Sequence, residues 1–227
     1  VQLPSFYKKG YRLFTGGKCE KTSSGMSREL IWIFISNMMF QVCFMIDKAF
    51  VSGDSGAATT INYASNLFVT IASVFVVAMS NVVFPSISRN YEEGNTEYVK
   101  SLVKYIIVVM FVIFVPFILT VSCFGNQLIA VLYERGEFTP DLTKTTAVLF
   151  AVYTMGALGY VCQELFNKLL YLDVRYSYTV AGTISVIALK IVLNLLSGGK
   201  VFVVAATTTL LFTLYAALIA FAMKKVI

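Results

Sequence analysis

The chain has 227 residues, of which 58% are hydrophobic and only 13% are charged. Soluble domains carry about 25% charged residues, so this composition and a mean hydropathy of +0.77 exclude an ordinary soluble domain. The net charge of +6 does not indicate nucleic-acid binding, because the basic residues cluster at the ends of apolar segments and not on one soluble face.

Six apolar segments of helical composition follow one another along the sequence. A helix crosses the hydrocarbon of a bilayer, about 30 Å thick, with roughly 20 apolar residues. The sequence lacks the alternating segments of about ten residues that are typical of membrane β-strands. We therefore predict an all-α integral membrane protein, a six-transmembrane-helix bundle over residues 29–227. The predicted spans are Leu30–Phe50, Ile61–Phe84, Tyr105–Phe124, Thr145–Leu170, Tyr178–Leu196 and Val201–Met223.

Residues 1–28 form a predicted lead-in before the first span. Their first half mixes aromatic residues with cations, as in elements that lie in the lipid headgroup layer. A solvated linker explains the same composition, so both interpretations stay open. Because Val1 is not a start methionine, we expect the chain to be a piece of a longer protein.

Prolines and short apolar stretches predict interruptions in the first half of the bundle. Pro85 is expected to end the second helix, and Pro116 is expected to kink the third. Gly125–Tyr133 is apolar but too short to cross a membrane. We predict that it is a separate helix lying at the membrane surface.

The second half contains a helix start and two glycine pairs. Thr139 and Pro140 predict a start, since Thr is a favoured N-cap and Pro a favoured first helical residue. Gly156 and Gly159 inside the fourth span permit a close helix contact or a bend. Gly198–Gly199 predicts a tight turn between the last two spans.

Basic residues are distributed unequally between alternate loops. Cytoplasmic loops of membrane proteins retain an excess of Lys and Arg. The lead-in, the segments after the second and fourth spans and the tail carry thirteen Lys and Arg residues, whereas the other loops carry four. We therefore expect a multi-pass protein with both ends of this chain in the cytoplasm.

Polar residues recur on helical spacing inside four of the spans. Inside a membrane span, polar side chains normally face a cavity or a polar partner, because contact with lipid is unfavourable. The alternative is that they form hydrogen bonds between packed helices. We favour a wet cavity, and its candidate residues are Asn37, Gln41, Asn62, Asn66, Thr70, Ser73, Glu164, Lys190 and Asn194.

Charged residues near the spans have separate interpretations. Glu164 and Lys168 lie one helical turn apart, so they are either cavity groups or an interfacial ion pair. Lys190 lies well inside the fifth span and is the predicted anion-facing cation; the alternative is that it snorkels to the headgroups. Asp47 and Lys48 are expected to anchor the end of the first span at the outer surface.

The sequence lacks the residues that metal sites, phosphate-binding loops and catalytic pairs require. There is no histidine and no closely spaced cysteine pair, so we predict no metal site and no cofactor. Gly17 and Lys18 do not form a phosphate loop, because Arg12 stands where that motif needs glycine and Cys19 where it needs Ser or Thr. No nucleophile and base are paired, so we do not expect an enzyme.

Five stretches resemble the MurJ/MviN lipid II flippases and occur in that family's order. They are Ile46–Gly53, Ile61–Ala64, Phe84–Ser88, Leu132–Thr139 and Lys168–Tyr171. Within Leu132–Thr139, the residues that resemble the family's signature loop are Glu134, Arg135, Gly136 and Phe138. The resemblance covers about residues 28–197, and it places the chain with the second half of such a flippase.

The resemblance implies two six-helix lobes that face each other across a central cavity and rock between inward-open and outward-open states. This chain would be the second lobe, without the N-terminal lobe and without the family's last two helices. The implied activity is flipping of lipid II, the undecaprenyl-pyrophosphate-linked peptidoglycan precursor, across the bacterial cytoplasmic membrane. Its partners would be this lipid-linked glycan precursor, membrane lipids and the missing N-terminal lobe.

One position departs from the family pattern. Family members often carry an acidic–basic pair where this chain has Ser65 and Asn66. A cationic contact to the pyrophosphate is then missing at this position. This departure leaves room for a related oligosaccharide-lipid flippase or a degenerate homologue, and for a membrane assembly partner without transport. A drug or ion antiporter of the same fold, with Glu164 as the proton-coupled acid, is a further alternative.

Overall fold

The computed structural model describes residues 23–172 and 176–223, and within these ranges the chain forms eight helices and no strand. In chain order they are α1 (Ser23–Phe50), α2 (Ser55–Val82), α3 (Phe84–Glu92), α4 (Thr96–Tyr133), α5 (Pro140–Met155), α6 (Ala157–Leu172), α7 (Tyr176–Leu196) and α8 (Val201–Met223). The lead-in prediction falls mainly on residues 1–22, which lie outside the described ranges. The helix that follows begins at Ser23, inside the predicted lead-in.

Six stretches of the described residues are long and apolar enough to cross a membrane, which confirms the predicted all-α membrane fold. They are Leu30–Phe50, Ser55–Glu92, Thr96–Tyr133, Pro140–Leu172, Ser177–Leu196 and Val201–Phe221. Two of these stretches consist of two helices each. Helix α2 gives way to α3 beside Pro85, and α5 gives way to α6 at Gly156.

The predicted surface helix at Gly125–Tyr133 is wrong, because α4 runs without interruption from Thr96 to Tyr133. Val121, Gly125 and Ile129 are all buried and lie one turn apart. A Cβ atom at Gly125 would lie 3.7 Å from the backbone oxygen of Ala147 on α5. The stretch therefore continues the side of α4 that packs against α5, and this packing keeps it in line with the rest of the helix.

The predicted helix start and turn are confirmed. The Thr139 hydroxyl caps α5 by accepting a hydrogen bond from the Leu142 backbone nitrogen at 3.4 Å, and Pro140 is the first helical residue. Gly198 and Gly199 have φ angles of 61° and 75°, a region that favours glycine. They reverse the chain between α7 and α8.

Alternating helix directions put three turns at one end of the bundle, here called the Gly136 end after its middle loop. These turns join α1 to α2, α4 to α5 and α7 to α8. A Cβ atom at Gly199 would lie 3.2 Å from the backbone oxygen of Phe50, so the first and last of them are neighbours. The opposite end, which carries Pro85, is called the Pro85 end.

Helices α6 and α8 approach each other closely at two glycines. A Cβ atom at Gly159 would lie 2.8 Å from both Cα and the backbone nitrogen of Thr213, and one at Gly156 would lie 3.1 Å from Cα of Thr209. Of the two alternatives predicted for these glycines, the close contact is therefore found at both, and Gly156 also marks the break between α5 and α6. Small residues permit such an approach, and in lipid, packing of this kind is a main source of helix association.

Aromatic rings fill the core where α1, α2, α5, α6 and α8 meet. Phe40 stacks on Tyr160 with ring centroids 4.0 Å apart, and Phe44 meets Tyr153 edge-on at 5.3 Å. By contrast, α4 exposes a long row of apolar side chains, as expected of a surface that contacts lipid. The polar side chains described next stand out against this apolar background.

Candidate functional site

The structure divides the predicted cavity residues into two groups. One group is exposed on α1 and α2, and consists of Asn37, Gln41, Asn62, Asn66, Thr70 and Ser73. The other is buried between helices, and consists of Glu164, Lys190 and Asn194. The sequence pattern does not distinguish these groups, because spacing identifies a shared helix face but not what that face contacts.

The exposed group, together with the half-buried Lys48, is called the polar face. On α1, Asn37, Gln41 and Lys48 share one side of the helix because they are spaced by four and seven residues. A hydrogen bond joins the two helices, since the Lys48 ammonium donates to Asn66 Oδ1 at 3.5 Å. The Asn66 amide then donates to Asn62 Oδ1 at 3.3 Å.

The hydroxyl groups of the polar face bond to their own helix. Thr70 Oγ1 donates to the Asn66 backbone oxygen, and Ser73 Oγ donates to the Thr70 backbone oxygen, each at 2.8 Å. Each hydroxyl thereby uses its single proton and keeps lone pairs for an outside donor. This part of the face can accept hydrogen bonds from water or from a polar ligand.

Asp47 and Lys48 are adjacent in sequence but occupy different environments. Neighbouring helical residues point about 100° apart at 3.6 residues per turn. Lys48 therefore lies on the polar face, whereas the Asp47 side chain is 0% exposed. The prediction that Asp47 anchors α1 at the surface is wrong.

The partner of Asp47 is Lys190, which is also 0% exposed. Lys190 Nζ lies 2.5 Å from Asp47 Oδ1 and donates to the Val204 backbone oxygen at 2.8 Å. It also donates to the hydroxyls of Thr207 at 2.7 Å and Thr208 at 2.6 Å. In this structure Lys190 faces neither a cavity nor the headgroups, in contrast to both sequence-based interpretations.

Further hydrogen bonds complete the surroundings of Asp47. Its Oδ2 atom accepts from Tyr153 at 3.1 Å and from Thr208 at 2.6 Å, and its Oδ1 atom accepts from the Asn194 amide at 3.3 Å. Asn194 Oδ1 accepts from the Thr207 hydroxyl at 2.9 Å. This network joins α1, α5, α7 and α8, so it fixes four helices to one another.

Sequence reasoning misses Asp47 and the two threonines as members of this network. The available signal is the cost of an isolated charge in lipid, which requires each charged residue in a span to find a partner. Lys190 and Asp47 are the opposite charges that such a rule pairs. Thr207 and Thr208 carry no comparable signal, since single hydroxyls in a span often bond to their own helix.

Glu164 is 8% exposed and lies on α6. Lys168, one turn later, is half-buried, and its ammonium donates to the Ser80 hydroxyl of α2. Both residues therefore belong to the contact region between α6 and its neighbours.

The loop with the family motif closes the Gly136 end beside the start of α2. Gly136 has a φ angle of 61°, and Glu134 Oε2 accepts from the Thr143 hydroxyl at 2.9 Å. Arg135 Nη2 donates to the Leu132 backbone oxygen at 3.1 Å. Phe138 packs edge-on against Tyr63 of α2, with ring centroids 5.2 Å apart.

A cleft of about 460 Å³ lies between this loop and α2. Its lining residues are Thr59, Tyr63, Leu132, Tyr133, Arg135, Glu137, Phe138 and Leu142. Tyr63 follows directly after Asn62 of the polar face in the sequence. The motif residues therefore hold the α4–α5 connection against the helix that carries most of the polar face.

Comparisons with known proteins agree with these features. A family model described as "Lipid II flippase MurJ" matches residues 1–227. The probable lipid II flippase MurJ of Helicobacter pylori strain J99 is 24% identical over 187 residues, which is 80% of this chain and 39% of that protein. The probable lipid II flippase MurJ of Rhizobium tropici is 24% identical over 127 residues, covering 56% of this chain and 24% of that protein. The lipid II flippase MurJ of Burkholderia cenocepacia is 26% identical over 106 residues, covering 47% and 20% respectively.

The chain thus spans less than half the length of these relatives. The family match nevertheless extends over the whole chain, and the described residues contain six helical stretches that can cross a membrane. This chain is a multi-pass membrane protein that belongs to the lipid II flippase MurJ family.

Proposed function

We propose that this chain is the C-terminal lobe of a flippase that carries lipid II across the bacterial cytoplasmic membrane. The observation that carries the proposal is the polar face, a surface of exposed amides and hydroxyls with one half-buried lysine, on a bundle that exposes many large apolar side chains elsewhere. Family membership and the partial coverage of longer relatives support it. The missing N-terminal lobe would cover the polar face.

The extent of the polar face suits a transport pathway. From Asn62 to Ser73 it covers twelve residues of α2, and the eleven steps between them span roughly 16 Å at about 1.5 Å per residue. This is about half of the hydrocarbon thickness of a bilayer. Exposure of so many amides and hydroxyls to lipid tails is unfavourable, so water or a polar ligand is the better neighbour.

Alternating access requires that each lobe moves as one piece. The network around Asp47 and Lys190 links α1, which carries part of the polar face, to α5, α7 and α8. The contact of Gly159 with Thr213 links α6 to α8. We propose that the lobe rocks as a unit, with its internal polar network unchanged and its polar face opening alternately to either side.

The proposed orientation places both ends of this chain in the cytoplasm and the Gly136 end outside. It rests on the thirteen Lys and Arg residues of the lead-in, the segments after the second and fourth spans and the tail, against four in the other loops. The motif loop would then lie at the outer surface.

Cysteine labelling should report this orientation. In a background with the native cysteines replaced by alanine, Glu134→Cys should react with a membrane-impermeant maleimide in intact cells. Glu93→Cys should react only after permeabilisation, because its loop lies at the Pro85 end. Both glutamates are exposed, so each variant controls for the reactivity of the other. The reverse pattern would refute the orientation.

Depletion of the protein in its host tests the function itself. We expect lipid II to accumulate and cell-wall synthesis to stop, because the precursor can no longer reach the outer leaflet. An unchanged allele should rescue growth, whereas Asn62→Leu/Asn66→Leu should rescue poorly, since it removes the two bonded amides of the polar face. Growth and lipid II content, measured at equal protein levels, are the readouts.

A matched control keeps the interpretation specific. Val108→Leu/Val112→Leu also places two leucines at exposed positions within a span, but on the apolar surface of α4, and it should rescue fully. Accumulation of a different polyprenyl-linked glycan would identify a related oligosaccharide-lipid flippase. Unchanged levels of all lipid-linked precursors on depletion would contradict the proposed function.

A further inference from the structure

We infer that the cleft between the motif loop and α2 is a binding site for the carbohydrate part of the lipid-linked substrate. The inference rests on the proposed function and adds to it a contact outside the polar face. The cleft has a volume of about 460 Å³, within the range of roughly 300–1,000 Å³ that is usual for small-molecule sites. Its lining combines aromatic rings, a guanidinium and a carboxylate, which are groups suited to binding a sugar.

The cleft continues the polar face towards the Gly136 end of α2. Tyr63 lines the cleft, and Asn66 and Thr70 of the polar face follow it at spacings of three and four residues. Residues at such spacings lie along one side of a helix, so the wall of the cleft and the polar face form one surface. In the proposed orientation this end faces outward. A headgroup that follows the polar face to the outer side therefore reaches the cleft.

Three aromatic rings form the apolar wall of the cleft. The ring centroid of Tyr63 lies 4.7 Å from that of Tyr133 and 5.2 Å from that of Phe138. All three side chains are half-buried, so part of each ring stays accessible. The face of an aromatic ring carries partial negative charge, and the C–H groups on the face of a sugar ring pack well against it. The wall therefore offers a surface on which a sugar ring can stack.

The polar groups of the cleft are available to a ligand. In the part of the chain that the structure describes, the hydroxyls of Tyr63 and Tyr133 and the carboxylate of Glu137 form no hydrogen bond. Arg135 has five N–H donors and uses one of them in its bond to the Leu132 backbone oxygen. Sugar hydroxyls both donate and accept hydrogen bonds, so they can bind the guanidinium and the carboxylate alike.

A tight turn holds the two charged residues of the cleft in place. The Phe138 backbone nitrogen donates to the Arg135 backbone oxygen at 3.2 Å, and Gly136 within this turn has a φ angle of 61°. Glycine adopts this conformation without strain. Arg135 and Glu137 flank Gly136 in a loop that is already closed, so their ordering costs little conformational freedom when a ligand binds.

The charges of the cleft favour a neutral ligand. Arg135 and Glu137 carry opposite charges, which cancel. Nearby, Glu134 and Asp141 add two carboxylates and Lys144 one ammonium, so the surroundings are not positive. Such a surface does not attract an anionic diphosphate or the carboxylate end of a peptide. Among the parts of a peptidoglycan precursor, the glycan is uncharged and rich in hydroxyls, so it is the part that fits.

Native mass spectrometry of the full-length protein in detergent can test the cleft with three probes. They are undecaprenyl diphosphate, the same lipid carrying the peptidoglycan disaccharide without peptide, and lipid II. The unchanged protein should bind both glycan-linked lipids about tenfold more tightly than undecaprenyl diphosphate, since the glycan adds a hydrogen bond to a charged group. Glu137→Ala should abolish most of this difference. It should leave the affinity for undecaprenyl diphosphate unchanged, because the cleft does not contact the diphosphate.

A second variant and a matched control keep the test specific. Tyr63→Phe/Tyr133→Phe keeps the aromatic rings but removes both hydroxyls, and it should also weaken only the glycan-linked lipids. Asp141→Asn removes a carboxylate at the same end of the bundle, from a side chain that is 96% exposed and does not line the cleft, so it should change no affinity. If Glu137→Ala lowers the thermal midpoint of the protein, the tyrosine variant decides.

Each contrary outcome has a distinct meaning. Equal affinity of the unchanged protein for all three probes, or a glycan effect that survives in both cleft variants, would overturn the site and leave the proposed function standing. Equal losses for all probes in the cleft variants would also overturn it, because they would indicate a distorted polar face. A gain in affinity with lipid II alone would overturn the choice of sugar in favour of the peptide. The depletion experiment decides the proposed function separately.

Discussion

Lys190→Met should destabilise the bundle by about 3–5 kcal/mol, the usual cost of breaking a buried ion pair by removing one partner. The lysine ammonium contacts four oxygen atoms, from Asp47, Val204, Thr207 and Thr208. Without it, the Asp47 carboxylate stays fully buried and loses its counter-charge. The remaining donors from Tyr153, Thr208 and Asn194 are neutral and compensate only in part.

A double-mutant cycle separates this effect from a general loss of packing. Asp47→Asn alone should be strongly destabilising, because Lys190 then lacks its counter-charge. Asp47→Asn/Lys190→Met should cost much less than the sum of the single changes, since neutral replacement of both partners of a buried pair is often tolerated. The measurement is the thermal midpoint at which purified protein in detergent loses its monodisperse peak.

Lys200→Met is the control for loss of a lysine, because Lys200 is exposed in the turn between α7 and α8. We expect no shift of its midpoint. Additive losses in the double variant, or a Lys190→Met protein as stable as the unchanged one, would contradict the role of the pair. In either case the charge of the Lys190 ammonium would be stabilised by groups other than Asp47.

The membrane spans could be predicted because their signals are local. Apolar length decides whether a helix can cross the bilayer. The start of α5 is set by Thr139 and Pro140, and the turn at Gly198–Gly199 by positive φ angles. Each of these features depends on residues within one or two turns, so the sequence contains the required information.

The continuity of α4 could not be predicted in the same way. Gly125–Tyr133 is too short to be a span by itself, and its apolar residues suit either a surface helix or a longer transmembrane one. The deciding contact is that of Gly125 with the backbone near Ala147 on α5. Such a contact depends on how two helices pack, which local composition does not specify.

The candidate site was predictable as a set of polar helix faces but not in its arrangement. Spacing correctly groups Asn62, Asn66, Thr70 and Ser73 on one exposed side of α2. The same rule places Lys190 and Asn194 together, yet that side of α7 is buried against α1 and α8. Which polar face is inside follows from long-range pairing, as in the contact of Asn194 with Asp47.

Gly159→Ala should lower the stability of the bundle by about 1–3 kcal/mol, the range for overpacking. The sign is informative, because the same change in an unhindered helix interior stabilises by up to about 1 kcal/mol. Here the added methyl carbon would lie 2.8 Å from Cα and the backbone nitrogen of Thr213. Those atoms belong to the backbone of α8, so removal of the clash requires α6 and α8 to separate.

Gly125→Ala provides the matched control, because a Cβ atom there meets its nearest neighbour at an ordinary 3.7 Å. Its thermal midpoint should stay the same or rise. Thr213→Ala should not rescue Gly159→Ala, since it shortens the side chain but leaves the clashing backbone atoms in place. A Gly159→Ala protein with an unchanged or higher midpoint would show that α6 and α8 can separate at little cost. The rigid lobe on which the proposed rocking depends would then lose one of its two structural supports.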